Sequence, residues 1–174
     1  MIAIAERAEN AADVIARLSE KLAALLAVHA ETIQQAILDR ERTRTTALAN
    51  GAAIPHCRMP ALSRFGIAVM VLQQPVRWDD NGHTVDTVVM IAGPSENVPG
   101  HLRILANSSQ LLDSPGLRSK LKRAPDARSA YDLIAAAEEA VEHRRSQEGM
   151  LRELRRDQEN GADYLSTVAE KFDW

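Results

Sequence analysis

The sequence predicts an α/β fold in which helices precede and follow a small set of strands, with an extra C-terminal helical tail. Three observations predict it. Apolar residues recur at helical spacing up to about residue 42, and two near-continuous apolar runs meet across a strong turn at residues 79–82. Helical periodicity then returns from His101. At 174 residues the chain is one domain plus an appendage, long enough to bury a sizeable core.

Asn10 is placed to cap a first helix, in which Val14, Ile15, Leu18, Leu22, Leu25 and Leu26 form one apolar stripe. A second helix is expected from Ala30 to about Arg42, with Ile33, Ile37 and Leu38 facing inward, and the small polar residues 43–50 read as a loop. Gly51 opens backbone angles closed to other residues, while Pro55 fixes its own φ and pushes Ile54 towards an extended conformation. The segment reads as a short strand that ends at a rigid corner, with His56 held at the strand end.

Phe65–Leu72 and Val85–Ala92 are apolar almost throughout, the pattern of strands covered on both faces. The turn signal Asp79-Asp80-Asn81-Gly82 between them makes the pair antiparallel, and Gly93-Pro94 closes the second strand. His101–Leu112 reads as a helix with Leu102, Leu105, Leu111 and Leu112 apolar. Ser114 is the N-cap of a short helix with Pro115 at its first position.

A long helix starts near Asp126, packs Tyr131, Leu133 and Ile134, and runs through Val141 towards Arg156. Composition changes near Glu142. From His143 to Glu159 the chain is dominated by Arg, Glu and Gln, with Met150, Leu151 and Leu154 its only large apolar residues. Asn160-Gly161 reads as a helix stop, followed by an apolar patch of Tyr164, Leu165, Val168, Phe172 and Trp174. The domain is therefore assigned to residues 1–141, and residues 142–174 to a helical extension that docks back or pairs with a partner, a second copy included.

Composition excludes several classes of function. A net charge of −3, with arginines dispersed among acids, offers no basic face for nucleic acid. With aromatics at 3%, the core must be built from Ala, Leu, Ile and Val. The single cysteine, Cys57, excludes an internal disulfide and any multi-cysteine metal site. The five histidines lack a paired metal-ligand spacing, so neither a metal nor an organic cofactor is expected. No apolar run approaches the ~20 residues of a membrane span, and residues 1–6 are no signal peptide, so a cytoplasmic protein is expected.

Four local patterns carry a resemblance. They are Arg40-Glu41 followed by Thr45-Thr46, Gly51 to Arg58 around Ile54-Pro55-His56, Asp79 to Asp86, and His101-Leu102 followed by Leu105-Ala106. Together, in this order and over residues from about 10 to 139, they resemble the mannitol/fructose-type enzyme IIA domain of the bacterial phosphoenolpyruvate-dependent phosphotransferase system, including its nitrogen-regulatory branch.

The resemblance implies a small mixed sheet flanked by helices on both faces. It also implies that His56 accepts a phosphoryl group from the phosphocarrier protein HPr or a nitrogen-branch paralogue. His101 would lie beside it to orient or stabilise the phosphoryl group, Arg40 would meet the phosphoryl oxygens, and Thr45 or Thr46 would supply a hydroxyl donor.

These residue types suit that chemistry. A neutral imidazole is nucleophilic at neutral pH, having an unperturbed pKa of about 6.5. Its phosphoramidate retains the potential to pass the group on. A guanidinium fork matches phosphate oxygens and keeps its charge. The bland readings stay open: Arg40 as a helix-end partner of Asp39 or Glu41, Arg58 as a site residue or a surface charge, and Cys57 as a packed thiol. His29, His83 and His143 read as surface or structural.

The expected function is a phosphohistidine carrier or regulator, because no IIB-like cysteine loop or membrane segment accompanies the domain. A IIA component of fructose/mannitol-type sugar uptake, handing its group to a IIB domain, is one alternative. A non-catalytic interaction module is the other, favoured by a glycine-poor loop at 46–50, by Asn107, Ser108 and Ser109 in the second histidine helix, and by the tail.

Overall fold

The computed structural model describes the backbone of residues 1–171 and the side chains of residues 1–152 and 156. Residues Met1–Ala135 form one compact unit, and the chain from Ala136 onwards a second. Among the described residues the chain order is β1 Ile2–Glu6, α1 Ala11–Leu26, α2 Ala30–Thr43, β2 Ala52–Ala53, β3 His56–Met59, β4 Gly66–Arg77, β5 Thr84–Pro94, α3 Val98–Leu112, α4 Pro115–Lys122 and α5 Ala127–Lys171.

The centre of the sheet is the antiparallel β4–β5 hairpin, with Val69 opposite Val89 and Ala68 opposite Met90. On one edge β1 runs parallel to β4; on the other, β2 and β3 run in succession parallel to β5. The sheet is therefore mixed. Its apolar runs are nearly continuous because alternate residues serve opposite faces. Ala68, Met70, Met90 and Ala92 join Leu18, Leu22, Ile33 and Ile37 of α1 and α2 in one core. Val69, Val89 and Ile91 meet Leu112 and Leu105 of α3, and Ile134, in a second. Helices thus cover both faces of the sheet. Each fully buried Leu or Ile contributes about 1.5–3 kcal/mol of transfer free energy.

Local signals set several boundaries. Asn10 Oδ1 accepts the Asp13 N–H (3.0 Å), and Ser114 Oγ accepts that of Leu117 (3.3 Å), so both caps form where the sequence places them. Other boundaries differ. Strand β1 was not foreseen: five residues carry little periodicity, and what makes them a strand is a non-local pairing with β4. The short strand before the proline, β2, ends ahead of the corner as expected, but the strand pairing does not stop there. It resumes as β3, because the Pro55 carbonyl accepts the Ile91 N–H (3.0 Å) and keeps the chain on β5.

Helix α3 opens at Val98, not at His101, with Asn97 Oδ1 accepting the Gly100 N–H (2.9 Å). The His101 N–H therefore bonds within the helix, to the Asn97 carbonyl (3.1 Å). Tyr131 does not pack: its side chain is exposed, with the Arg128 guanidinium 5.8 Å from the ring centre. Helix α5 passes Asn160-Gly161 without a break, since one glycine costs a helix interior only about 1 kcal/mol. The apolar patch expected from Tyr164 to Trp174 lies outside the described side chains. Among the described residues, no helix is long and apolar enough to cross a membrane.

Candidate functional site

The turn at Pro55 brings His56 onto β5 opposite Ile91, at a depth where α2 and α3 both reach it. Helix α2 contributes Arg40, β3 contributes Arg58 beside the histidine, and α3 contributes His101. All four line one open pocket of about 470 Å³, rimmed by Val98 and Leu102. Leu102 is 60% exposed and Val98 40%, an apolar rim around a basic, imidazole-rich centre.

His56 is half-buried, with Nδ1 2.8 Å from the Ile54 carbonyl oxygen. A carbonyl only accepts, so Nδ1 carries the ring hydrogen and Nε2 keeps its lone pair. Burial pulls the His56 pKa below the usual imidazole value. Arg40 and Arg58 act the same way, while the Ile54 carbonyl and Glu41 oppose them.

His101 is 4% exposed. Its ring centre lies 5.4 Å from that of His56, tilted by 56°, and 6.2 Å from that of Phe65. Burial, then His56 and Arg58, push its pKa down to about 4, so both rings are neutral at neutral pH. His101 Nδ1 is buried without a hydrogen-bond partner among the described residues, which is uncommon for a polar atom inside a protein.

Arg40 donates to the Arg44 carbonyl (2.9 Å). Asp39, one of its two adjacent acids in sequence, instead takes Arg42 (2.7 Å) and Gln35 (2.8 Å), and the other, Glu41, accepts from Thr45, Thr46 and Trp78. The structure therefore brings together His56, His101 and Arg40, with Arg58 beside them. It does not bring in Thr45 or Thr46. Their hydroxyls donate to Glu41, at 3.3 Å from Thr45 and 2.8 Å from Thr46, so neither is offered to the pocket. Thr45 lines a separate cleft with Trp78 and Asp79.

The residue not singled out from sequence is Glu41. Its carboxylate also accepts the Thr46 N–H (2.7 Å) and the Trp78 indole N–H (2.8 Å), four donors in all. The available signal was its place beside Arg40, four and five residues before two threonines; the partner Trp78, just past the end of β4, was not readable. Cys57 is a packed thiol that burial pushes up to about 12. His83 pairs with Asp79 (2.7 Å), His143 with Gln147 (3.0 Å), and His29 is exposed at the head of α2. No cluster of three potential metal ligands exists among the described residues.

This geometry can be set against known proteins. The family model described as phosphoenolpyruvate-dependent sugar phosphotransferase system, EIIA 2, matches residues 1–137. The nitrogen regulatory protein of Pseudomonas aeruginosa is 32% identical over 124 residues, covering 68% of this chain and 80% of that protein. The 2-O-alpha-mannosyl-D-glycerate-specific EIIABC component of Escherichia coli is 30% identical over 116 residues, which are 64% of this chain but 18% of that one.

The crystal structure of the nitrogen regulatory protein IIA-Ntr from Neisseria meningitidis has a TM-score of 0.70 at 17% identity, over 76% of this chain and 91% of that one. The fold is shared with it. From residue 1 to 137, across both the sheet and the two-histidine pocket, this chain belongs to the EIIA 2 family of the phosphoenolpyruvate-dependent sugar phosphotransferase system.

Proposed function

We propose that the protein is a phosphohistidine carrier of the nitrogen-regulatory type, in which His56 Nε2 accepts a phosphoryl group from an HPr-type phosphocarrier. The observation that carries this reading is the hydrogen bond from His56 Nδ1 to the Ile54 carbonyl (2.8 Å), which leaves Nε2 as the nucleophilic nitrogen. That imidazole sits in one pocket with two guanidinium groups and a second, buried histidine.

In the transfer, the Nε2 lone pair forms a new N–P bond. The bond from phosphorus to the donor breaks, and its electron pair returns to the donor. Arg40 and Arg58 compensate the phosphoryl charge as it arrives, and His101 contributes a ring N–H towards the phosphoryl oxygens. The lowered pKa of His56 keeps it unprotonated at neutral pH, ready to attack. The exposed Val98 and Leu102 give the donor an apolar ring to dock on while the charges meet at the centre.

A regulatory role is favoured over sugar uptake by coverage. The match spans 80% of the nitrogen regulatory protein but only 18% of the multi-component sugar protein. A IIB domain, or a target that senses the phosphorylation state, is the onward partner, and the cytoplasm, where such carriers meet, is the proposed location.

The test is to mix the protein with phosphoenolpyruvate, enzyme I and either the sugar-branch or the nitrogen-branch HPr, and to follow intact mass. Gain of one acid-labile phosphoryl group, absent in His56→Ala, is expected, and the preferred HPr reports the branch. No uptake from either carrier would replace this reading with that of a non-catalytic interaction module.

A further inference from the structure

The loop before the histidine is tied to the end of α2 by one carboxylate. Glu41 accepts the Thr46 N–H (2.7 Å) and Thr46 hydroxyl (2.8 Å), and is itself held by the indole N–H (2.8 Å) of Trp78, the residue that follows β4. Thr46 is 8% exposed, so these bonds are made away from water. On its other side, the Thr46 carbonyl accepts the Ile54 N–H (3.2 Å), and Leu48 N–H donates to the Ala52 carbonyl (2.7 Å). The Ile54 carbonyl in turn accepts Nδ1–H of His56 (2.8 Å). One unbroken chain of hydrogen bonds thus runs from Trp78 through Glu41, Thr46 and Ile54 to the imidazole.

We propose that Glu41 is a positioning residue for His56: by clamping Thr46 it fixes the backbone on both sides of Ile54, and so the tautomer and rotation of the ring. This rests on the reading of His56 as the phosphoryl acceptor. The physical argument is that a neutral imidazole in water exchanges its hydrogen between two nitrogens, and only an oriented acceptor holds it on one. Here that acceptor is a backbone carbonyl in a segment that is half loop. A peptide free to turn by a few tens of degrees would release Nδ1–H, populate the Nε2–H form, and block the nucleophilic nitrogen with a hydrogen. Glu41 is suited to prevent this because it binds the loop through both an N–H and a hydroxyl, from a rigid helix end.

The experiment is nitrogen-15 NMR of the histidine rings, well above the ordinary imidazole pKa of about 6.5, in the parent, Glu41→Ala and Glu41→Asp. At that pH the ring is neutral whatever the groups that face it, namely Arg40 and Glu41 on α2, Arg58 on β3 and His101 on α3, so the spectra report its tautomer rather than its protonation. In the parent, His56 is expected as the Nδ1–H form. In Glu41→Ala the Nε2–H form should rise to a comparable population, and phosphoryl uptake from HPr should slow roughly ten- to hundredfold, the scale of a misplaced reacting group.

Glu41→Asp keeps the charge but shortens the reach, so it should change in the same direction by less. It also decides the question alone if the alanine variant does not fold. A parent-like tautomer in the folded variants overturns the proposal. So does an aspartate variant that behaves as the parent while the alanine variant does not, since charge rather than position would then explain the effect. The ring spectra need no phosphoryl donor, so failure of the parent to take up phosphate would sink the proposed function and leave this test standing.

Discussion

Asp86→Asn tests how the corner before His56 is anchored. Asp86 is 7% exposed. Its carboxylate meets Arg118 (3.1 Å) and the Lys122 ammonium and accepts the Thr87 hydroxyl (2.8 Å), while Arg118 also donates to the Asn50 carbonyl and the Asp86 N–H to that of Gly51 (3.0 Å). Gly51 is part of the design: its φ is +83°, and a Cβ there would come within 3.0 Å of the Arg118 guanidinium.

Removing one partner of a buried ion pair costs about 3–5 kcal/mol, because the other charge is left without compensation. Lys122 is 44% exposed and can turn to water, whereas Arg118, at 13%, cannot. Arg118 also keeps the Asn50 carbonyl, so the expected loss falls at or just below the bottom of that range, about 2–3 kcal/mol. For a chain of this size that lowers Tm by about 5–10 °C.

Urea and thermal unfolding measure it, and Asp86→Asn/Arg118→Met should recover part of the loss because no buried charge then lacks a partner. Burial alone would raise the Asp86 pKa, but the bonds from Lys122, Thr87 and Arg118 outweigh it and hold the carboxyl below the usual range. Its contribution is therefore fully present above the unfolded value of about 3.9 and is lost as pH falls through the lower folded value. The variant should lack that part of the acid limb. A single-variant loss within about 0.5 kcal/mol, the range of ordinary surface substitutions, would refute the reasoning.

Three further outcomes are expected. Because His101 is neutral in the fold down to about 4 and protonates near 6.5 when unfolded, stability should fall as pH drops from about 6.5 towards 4. The slope is up to about 1.4 kcal/mol per pH unit, and it should be reduced in His101→Gln; a pH-independent urea midpoint across that window would contradict it. Cys57, its thiol pushed up to about 12 by burial, should resist alkylation at mildly alkaline pH in the native protein and react at once in urea. Gly93→Ala places a Cβ 2.2 Å from the Phe65 ring, so about 1–3 kcal/mol of overpacking is expected, together with a shift in the His101 ring resonances that Phe65 flanks; unchanged resonances would show that the ring moves away freely.

Local chemistry was legible in the sequence. The caps at Asn10 and Ser114, the two-sided strands β4 and β5 and the turn between them each rest on residues adjacent in the chain. So did the identity of the three groups that meet in the pocket, because Arg40, His56 and His101 stand in a recognisable order. Several features depended on partners far away in sequence. Strand β1 exists because β4 is there to pair with it, and β3 because the Pro55 carbonyl finds Ile91.

The two threonines show the limit within the site itself. A hydroxyl can point to a phosphoryl group or to a neighbouring carboxylate, and spacing along one chain cannot distinguish the two. Only the folded arrangement, with Trp78 completing the set of donors around Glu41 from just beyond the end of β4 at Arg77, decides that Thr45 and Thr46 turn towards the carboxylate and leave the pocket to the two imidazoles and two guanidinium groups. Residue type and order determined what chemistry is possible here. Hydrogen-bond partners brought together by the sheet decided which atoms are free to perform it.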